Sequence, residues 1–597
     1  MKSLLTLHLL VLENLGQLCS IDISRDVSSI TKRYEEEGDG YLTIVLPRLG
    51  KALERGLELG TWPAQDVHQT WVHHRGLPAL LRGFLRRIFD EHGSLLAEPD
   101  AECIWAVRQF CYLTHKIERA CSPEREAQAF EQFVATDRSL LGLPGRLDRE
   151  RLETFKKISN RLFGSIFQKA DLAIANWDLV PKHGPGATAE RASQLEKRDY
   201  AYWTERLDTV FPYWRYTRNL PYQEAPMAVP MSDELPVRVV SVPKTQSTPR
   251  IIAIEPSSMQ YAQQGLKRVF YEEIGRGPLS RVLGFRDQER NRDMALDASA
   301  FRTHGTLDLS EASDRVHWFL VKAMFERYPH LWEFAWATRS HRADVPLEGV
   351  IPLQKFASMG SALTFPIEAM VFTTLVVAGV EQAKNRRFQP RDLPGVVSVY
   401  GDDLIVPIDA IDHVIDWLEH FGAKVNRSKS FWNGKFRESC GAEYYDGHDV
   451  SVVRLRSELP SSRDDAAEIA ALVDFRNRAL GIGLWNVVTA IDEELESFIR
   501  LPYSNVTSTA RHAFLHRATF LPVRPEKESK WNPDLQRLER RVPVLVGRAA
   551  KYRPDGEAGL LEWFHDVLRR DDLVDRYDSQ ERATSFSIQR RGTCAFS

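Results

Sequence analysis

The sequence predicts a mixed α+β chain, with strands gathered in the middle and helices on either side. Three observations carry this. Residues 1–225 read mostly as helix with interspersed charge, and helical character returns from about 456. Residues 226–300 turn strand-like and basic, through Val237–Lys244 and Arg250–Glu255. Residues 396–408, VVSVY-GDD-LIVPI, are two apolar, β-branched runs of strand length around Gly401-Asp402-Asp403. That pattern is a β-hairpin with carboxylates at its tip. Both runs are apolar almost throughout, which predicts a sheet covered on both faces. A long helix is expected from about Pro366 to Ala383, with Pro366 in its first turn.

The chemistry starts at that hairpin. Two adjacent carboxylates at a buried tip repel each other and are costly to desolvate, unless a cation neutralises them. A solvated turn would explain Asp402 and Asp403 alone. About ninety residues upstream, however, Gly305–Asp314 reads as a strand ending near Asp308, then a polar turn. Val316, Phe319, Leu320, Ala323 and Met324 follow at helical spacing, with Ser313 or Asp314 as the expected N-cap. Asp308 would then face the hairpin tip from a neighbouring strand. Asp308, Asp402 and Asp403 form a set able to hold two Mg²⁺ ions roughly 3.5–4 Å apart for phosphoryl chemistry.

Basic residues are placed to match. Arg238, Lys244 and Arg250 are expected on one ribbon surface, a clamp for triphosphate. Lys424–Lys429, extended to Lys435 and Arg437, is a basic patch interleaved with Phe431, Trp432 and Phe436, the composition a nucleic-acid strand needs. Arg427, Lys435 and Arg437 are its expected RNA contacts. Further arginines, among them Arg537, Arg540 and Arg541, make the C-terminal part basic.

Composition limits the alternatives. The 597 residues carry a net charge of −3, so any nucleic-acid contact is local. Six cysteines in a chain this long suggest a reducing cytoplasm and no disulfide framework. Cys103, Cys111, His115 and Cys121 lack the spacing of zinc knuckles and read as buried thiols. Cys440, His448 and Asp449 read as part of a second hairpin turning at Gly441 and Gly447. The apolar stretch after Met1 imitates a signal peptide, but His8, Glu13 and Asn14 favour a packed helix. No other segment is expected to reach membrane-spanning length.

In order along the chain stand Val242-Pro243-Lys244, Ala253–Pro256, Asp287-Gln288 with Asn291-Arg292, and Asp308-Leu309-Ser310 with Ala312-Ser313-Asp314. Ser358-Met359-Gly360, Thr364-Phe365, Tyr400–Asp403 and Phe436–Gly441 follow. With these the chain resembles the RNA-directed RNA polymerases of positive-strand RNA viruses. More narrowly, it resembles the catalytic (beta) subunit of the replicase of leviviruses, the single-stranded RNA bacteriophages. Ser361 stands where that family usually has Asn, while Glu368 fits it.

The resemblance implies a right-hand polymerase fold. Residues 1–225 would contribute to the fingers. Residues 226–455 would hold the palm, an antiparallel sheet with the GDD hairpin backed by helices, together with interleaved fingers. Residues 456–597 would form a mostly helical thumb and tail. It implies two-metal nucleotidyl transfer from nucleoside triphosphates to an RNA 3′ end, with Mg²⁺, or Mn²⁺ in its place. Asp314 and Thr364, with Ser313 near, would read the ribose. Ser358 and Gly360 belong to the same nucleotide site, and Lys429 would act as general acid to the pyrophosphate. The implied partners are template and product RNA, host elongation factors Tu and Ts and a ribosomal protein, in the host bacterial cytoplasm and with no membrane. Two other readings share these residues: a reverse transcriptase-like polymerase, and a non-catalytic RNA-binding replicase subunit.

Overall fold

The computed structural model describes residues 3–499 apart from 64–72, 75, 185, 193–196, 198–199, 218–225 and 286. Beyond 499 it describes only short strands and their turns. The side chains of Arg537, Arg540 and Arg541 lie outside the described residues.

The chain is a mixture of helix and sheet, and its centre is a small antiparallel sheet. Its strands run in the order Ser398–Tyr400, Asp403–Pro407, His304–Leu307. Ser398 pairs with Ile405, Tyr400 with Asp403, and Leu404 with Leu307. Side chains of a strand alternate between faces. Leu404 and Val406 enter a large core with the Thr364–Lys384 helix, while Ile405 packs with Ala295, Ala442 and Tyr444. Both faces are therefore covered, as the unbroken apolar runs predict.

Two further sheets flank it. One has the order Thr248–Ile254, Val237–Thr245, Arg342–Val345, Gly349–Pro352. The other is the expected second hairpin, Phe436–Ser439 with Ala442–Tyr445, continued by His448–Asp449. Cys440 and Gly441 turn it, both at positive φ, as a two-residue hairpin turn requires.

Three expectations need correction. Strand character ends at Ile254. Residues Ser257–Arg276 and Glu289–Phe301 are helices, because their apolar residues recur at helical spacing. Ser313 and Asp314 do not cap the next helix. They form a short 3₁₀ turn, Val316 is extended, and His317 caps the Trp318–Phe325 helix by accepting the Phe319 N–H at 3.0 Å. Finally, Thr364–Lys384 is long and apolar enough to cross a membrane by length and composition. Residues Pro366–Val380 of it are all buried, so it serves as a core helix.

The cores join distant segments. One unites the Leu4–Cys19, Leu46–Leu59 and Ala101–Tyr112 helices with Phe431, Phe436 and the Ala466–Gly481 and Trp485–Phe498 helices. The first apolar stretch is thus a packed helix. A second core gathers the Arg149–Ala175 helix, the Thr364–Lys384 and Ile411–His420 helices and the central sheet. Phe130, Phe133 and Val134 cover the four-stranded sheet. Cys103 and Cys111 are buried free thiols, as expected.

The first core contains a charged knot. Arg108, 1% exposed, lies 3.0 Å from both Glu54 and Glu443, and Arg454 meets Glu443 at 2.7 Å. Removing one partner from such a network leaves a buried charge uncompensated, at a cost of about 3–5 kcal/mol. Arg108→Ala should therefore destabilise the N-terminal core by about that amount, read as a lower urea midpoint in tryptophan fluorescence. A loss below about 1 kcal/mol would show that the carboxylates find other relief.

Candidate active site

The central sheet delivers the carboxylates. Leu307 pairs with Leu404, so the next position along, Asp308, comes level with Asp403 at the hairpin tip. Asp402 is exposed at that tip and Asp403 is half-buried. Gly401 is at φ +61°, and a Cβ there would stand 2.7 Å from the Phe365 ring. The tip therefore needs glycine to pack on the first turn of the Thr364–Lys384 helix. Phe365 in turn meets Tyr400 edge-on at 5.3 Å.

The three carboxylates repel one another. Burial, then Asp402 and Asp308, push the Asp403 carboxyl up to about 7, although the Cys440 N–H donates to it at 3.3 Å. Burial also raises Asp308. Lys429, whose Nζ is 4.0 Å from Asp308 Oδ2, acts against this, as does Asn426, which donates to Oδ2 at 2.8 Å. Burial disfavours the Lys429 ammonium, but Asp308, Glu438 and the tip aspartates outweigh it and raise its pKa.

Asp308 and Asp402 line a cavity of about 850 Å³. Lys244 and Arg250 line it too, from the ribbon of Val237–Thr245 and Thr248–Ile254, where Val242 pairs with Arg250. Burial, then repulsion from Lys429 and Arg250, holds Lys244 below its usual value. Arg238 lies at the far end of the ribbon, where it reaches the Thr188 carbonyl at 3.5 Å, so it does not share the cavity surface expected of it.

Ser313, Asp314, Gly360 and Thr364 also line the cavity. Lys355, fully buried, donates to one Asp314 oxygen at 3.1 Å, which fixes that carboxylate. Gly360, at φ +136°, would put a Cβ 2.0 Å from the Ala253 carbonyl oxygen. Only glycine lets the loop lie this close to the clamp ribbon, an approach sealed by the Ala253 N–H donating to Met359 at 2.9 Å. The Thr364 hydroxyl donates to the Ser358 carbonyl at 2.7 Å, while the buried Ser358 Oγ has no partner.

Sequence reasoning assigned no role at the site to three residues: Glu368, although it fits the family pattern, and the two braces Asn426 and Lys355. Asn426 braces Asp308, Lys355 braces Asp314, and Glu368 is a buried carboxylate on the cavity wall. Burial, then the charges of Asp402 and Asp314, push Glu368 well above its usual value, and its Oε2 has no hydrogen-bond partner. The only local signal was Glu368 one helical turn after Thr364.

The expected RNA contacts fare differently. Arg437 is corrected: it is fully buried, and its guanidinium donates to the carbonyls of His304, Gly434, Phe436 and Trp432. It is a strut that joins the second hairpin to the central sheet. Lys435 pairs with Asp446 at 2.6 Å, and exposed Arg427 pairs with Glu419 at 3.3 Å.

The family model described as "RNA replicase, beta-chain" matches residues 231–473. The RNA-directed RNA polymerase subunit beta of Qbeta virus (strain MX1) is 33% identical over 227 residues, 38% of this chain and 36% of that protein. The RNA-directed RNA polymerase beta chain of Escherichia phage MS2 is 31% identical over 255 residues, 43% of this chain and 42% of that one. The chain thus spans about two-fifths or less of the length of these relatives in the matched region. Among solved structures, the in situ BmCPV RNA-dependent RNA polymerase at elongation state aligns over 56% of this chain and 33% of its own. Its TM-score of 0.34 at 10% identity is too low to bear on the fold. The resemblance carried by the motifs is therefore matched in sequence over residues 231–473, the segment similar to the RNA replicase beta-chain family, which contains Asp308, Asp402, Asp403 and the basic residues around them.

Proposed function

We propose that the chain is an RNA-directed RNA polymerase that replicates the RNA genome of a levivirus-like phage. The observation that carries this is one cavity lined by Asp308 and Asp402 together with Lys244 and Arg250, within the segment that matches the replicase beta chain. In this reading the fold is a right-hand polymerase. The central sheet and its helices form the palm, the clamp ribbon and N-terminal helices belong to the fingers, and the chain after 455 forms the thumb.

Among the described residues no three His, Cys, Asp or Glu side chains close into a ready metal cage. Mg²⁺ does not require one, since it keeps waters and substrate phosphates beside one or two carboxylates. The burial and the mutual repulsion that raise Asp308 and Asp403 are what such a cation relieves, so the residues fit. Two Mg²⁺ ions, or Mn²⁺, held by Asp308 and Asp402 with Asp403 completing the set, would activate the 3′-hydroxyl and steady the leaving oxygen. Lys244 and Arg250 neutralise the triphosphate. Asp314, braced by Lys355, offers its other oxygen to the ribose 2′-hydroxyl beside Ser313 and Thr364. Lys429 gives its proton to the departing pyrophosphate. The matched relatives are named as subunits or chains of a polymerase. That supports work within a larger assembly; the proposed setting is the bacterial cytoplasm, with elongation factors Tu and Ts and a ribosomal protein as the proposed companions.

Asp308→Asn or Asp402→Asn should lower template-directed incorporation of labelled nucleotide on the order of a thousandfold or more, with RNA binding kept. Activity above about a tenth of normal in either would remove the metal assignment. Asp314→Asn, which leaves Lys355 an oxygen, should cut the preference for ribo- over deoxynucleotides in kcat/KM by about 1–3 kcal/mol. An unchanged ratio would make Asp314 a partner for Lys355 alone. Lys429→Leu should reduce kcat about ten- to a thousandfold in single-turnover incorporation, far more than it weakens RNA binding. The reverse pattern would assign Lys429 to holding RNA.

A further inference from the structure

A line of positive charge leaves the cleft at Lys429. The Leu46–Leu59 helix docks beside the Lys429 loop: Glu58 accepts the N–H groups of Trp432, Asn433 and Gly434 at 2.9, 2.8 and 3.1 Å, and Arg55 donates to the Arg427 carbonyl. Arg48, Lys51 and Arg55 recur at positions i, i+3 and i+7, on one face of that helix. Beyond it, residues 113–118 run against 455–456, through the Leu455 N–H to Leu113 and the Glu118 N–H to Arg456, which sets Lys116 near Arg454.

These cations sit close to one another. Lys429 is the charge that acts most strongly on both Lys244 and Lys51, and Lys51 is the one that acts most strongly on His115. Although the Lys51 and Lys116 side chains reach solvent, the protein packed around them partly desolvates both. That desolvation, then this repulsion, holds Lys51 below its usual value, and Lys116 is lowered in the same way, with Arg454 the strongest repelling charge. Arg48, Lys51 and Lys116 are exposed. No carboxylate among the described residues forms an ion pair with them. The nearby acids offer little relief: Glu54 and Glu443 are taken by Arg108, and burial pushes Glu438 up to about 8. Exposed, crowded, unpaired cations in a row suit a polyanion with regularly spaced charges.

We propose that Arg48, Lys51 and Lys116 form a track for the phosphate backbone of an RNA strand running between the catalytic cleft and the surface. The proposal rests on the polymerase reading of the cleft. The test uses the full chain carrying Asp402→Asn, so that no catalysis is needed, and a fluorescent single-stranded RNA oligonucleotide titrated over a salt series. Each of Lys51→Gln and Lys116→Gln should flatten the slope of log Kd against log salt by about 0.7, and the pair by about twice that. Lys51→Arg should keep the parent slope. Equal thermal midpoints establish that the variants are folded. In the background with Asp402 intact, KM for nucleoside triphosphate should not change. A parent slope in the double variant overturns the track. So does a raised KM with an unchanged slope, which would make the row a triphosphate path. Failure of the polymerase reading looks different: the unmutated chain, supplied with its proposed companions, would incorporate no nucleotide on any RNA template.

Discussion

The architecture is organised around one electrostatic constraint. Asp308, Asp402 and Asp403 must stand together at the end of a sheet whose interior is dry. Unscreened, like charges in such a place either take up protons or drive the tip apart. The protein counters with groups drawn from every neighbouring element. Asn426 and Lys429 come from the loop after the Ile411–His420 helix, the Cys440 N–H from the second hairpin, and Lys244 from the clamp ribbon. Much of the chain between 237 and 445 can be understood as scaffolding that keeps these groups within reach of three carboxylates.

The scaffolding is rigid where the chemistry needs it. Gly401 lets the hairpin tip rest on Phe365, and Gly360 lets the preceding loop touch the clamp ribbon at Ala253. Arg437, buried beneath, ties the His304 carbonyl to three carbonyls of the 432–436 segment. In the proposed reaction, a preorganised site of this kind would lower the reorganisation that charge movement otherwise demands.

What was legible in the sequence was what local pattern encodes. Alternating and β-branched runs disclosed the hairpin and its buried faces, and the strand before Asp308 followed from the same pattern. The Thr364–Lys384 helix was placed within two residues at each end. Partnerships across long sequence separations were not legible. Nothing near Asp308 announces Asn426, and nothing near Asp314 announces Lys355. Arg437 was misread for the same reason: a basic run looks solvated until the carbonyls that surround one of its members are known. The cap at Asp314 failed because Val316 is extended and His317 takes that role. The two large cores draw residues from both sides of positions 225 and 455.

The core that unites residues 4–117 with residues 431–499 has a consequence for how the protein is born. The N-terminal helices leave the ribosome first, yet the apolar partners that complete their core are more than three hundred residues away. At ordinary elongation rates that interval is on the order of tens of seconds. Through that time Leu7, Val11, Leu15, Phe110 and their neighbours have only the part of their cover that the N-terminal helices give one another. The nascent chain must complete their shielding by provisional packing or by chaperones until residues 431–499 have emerged.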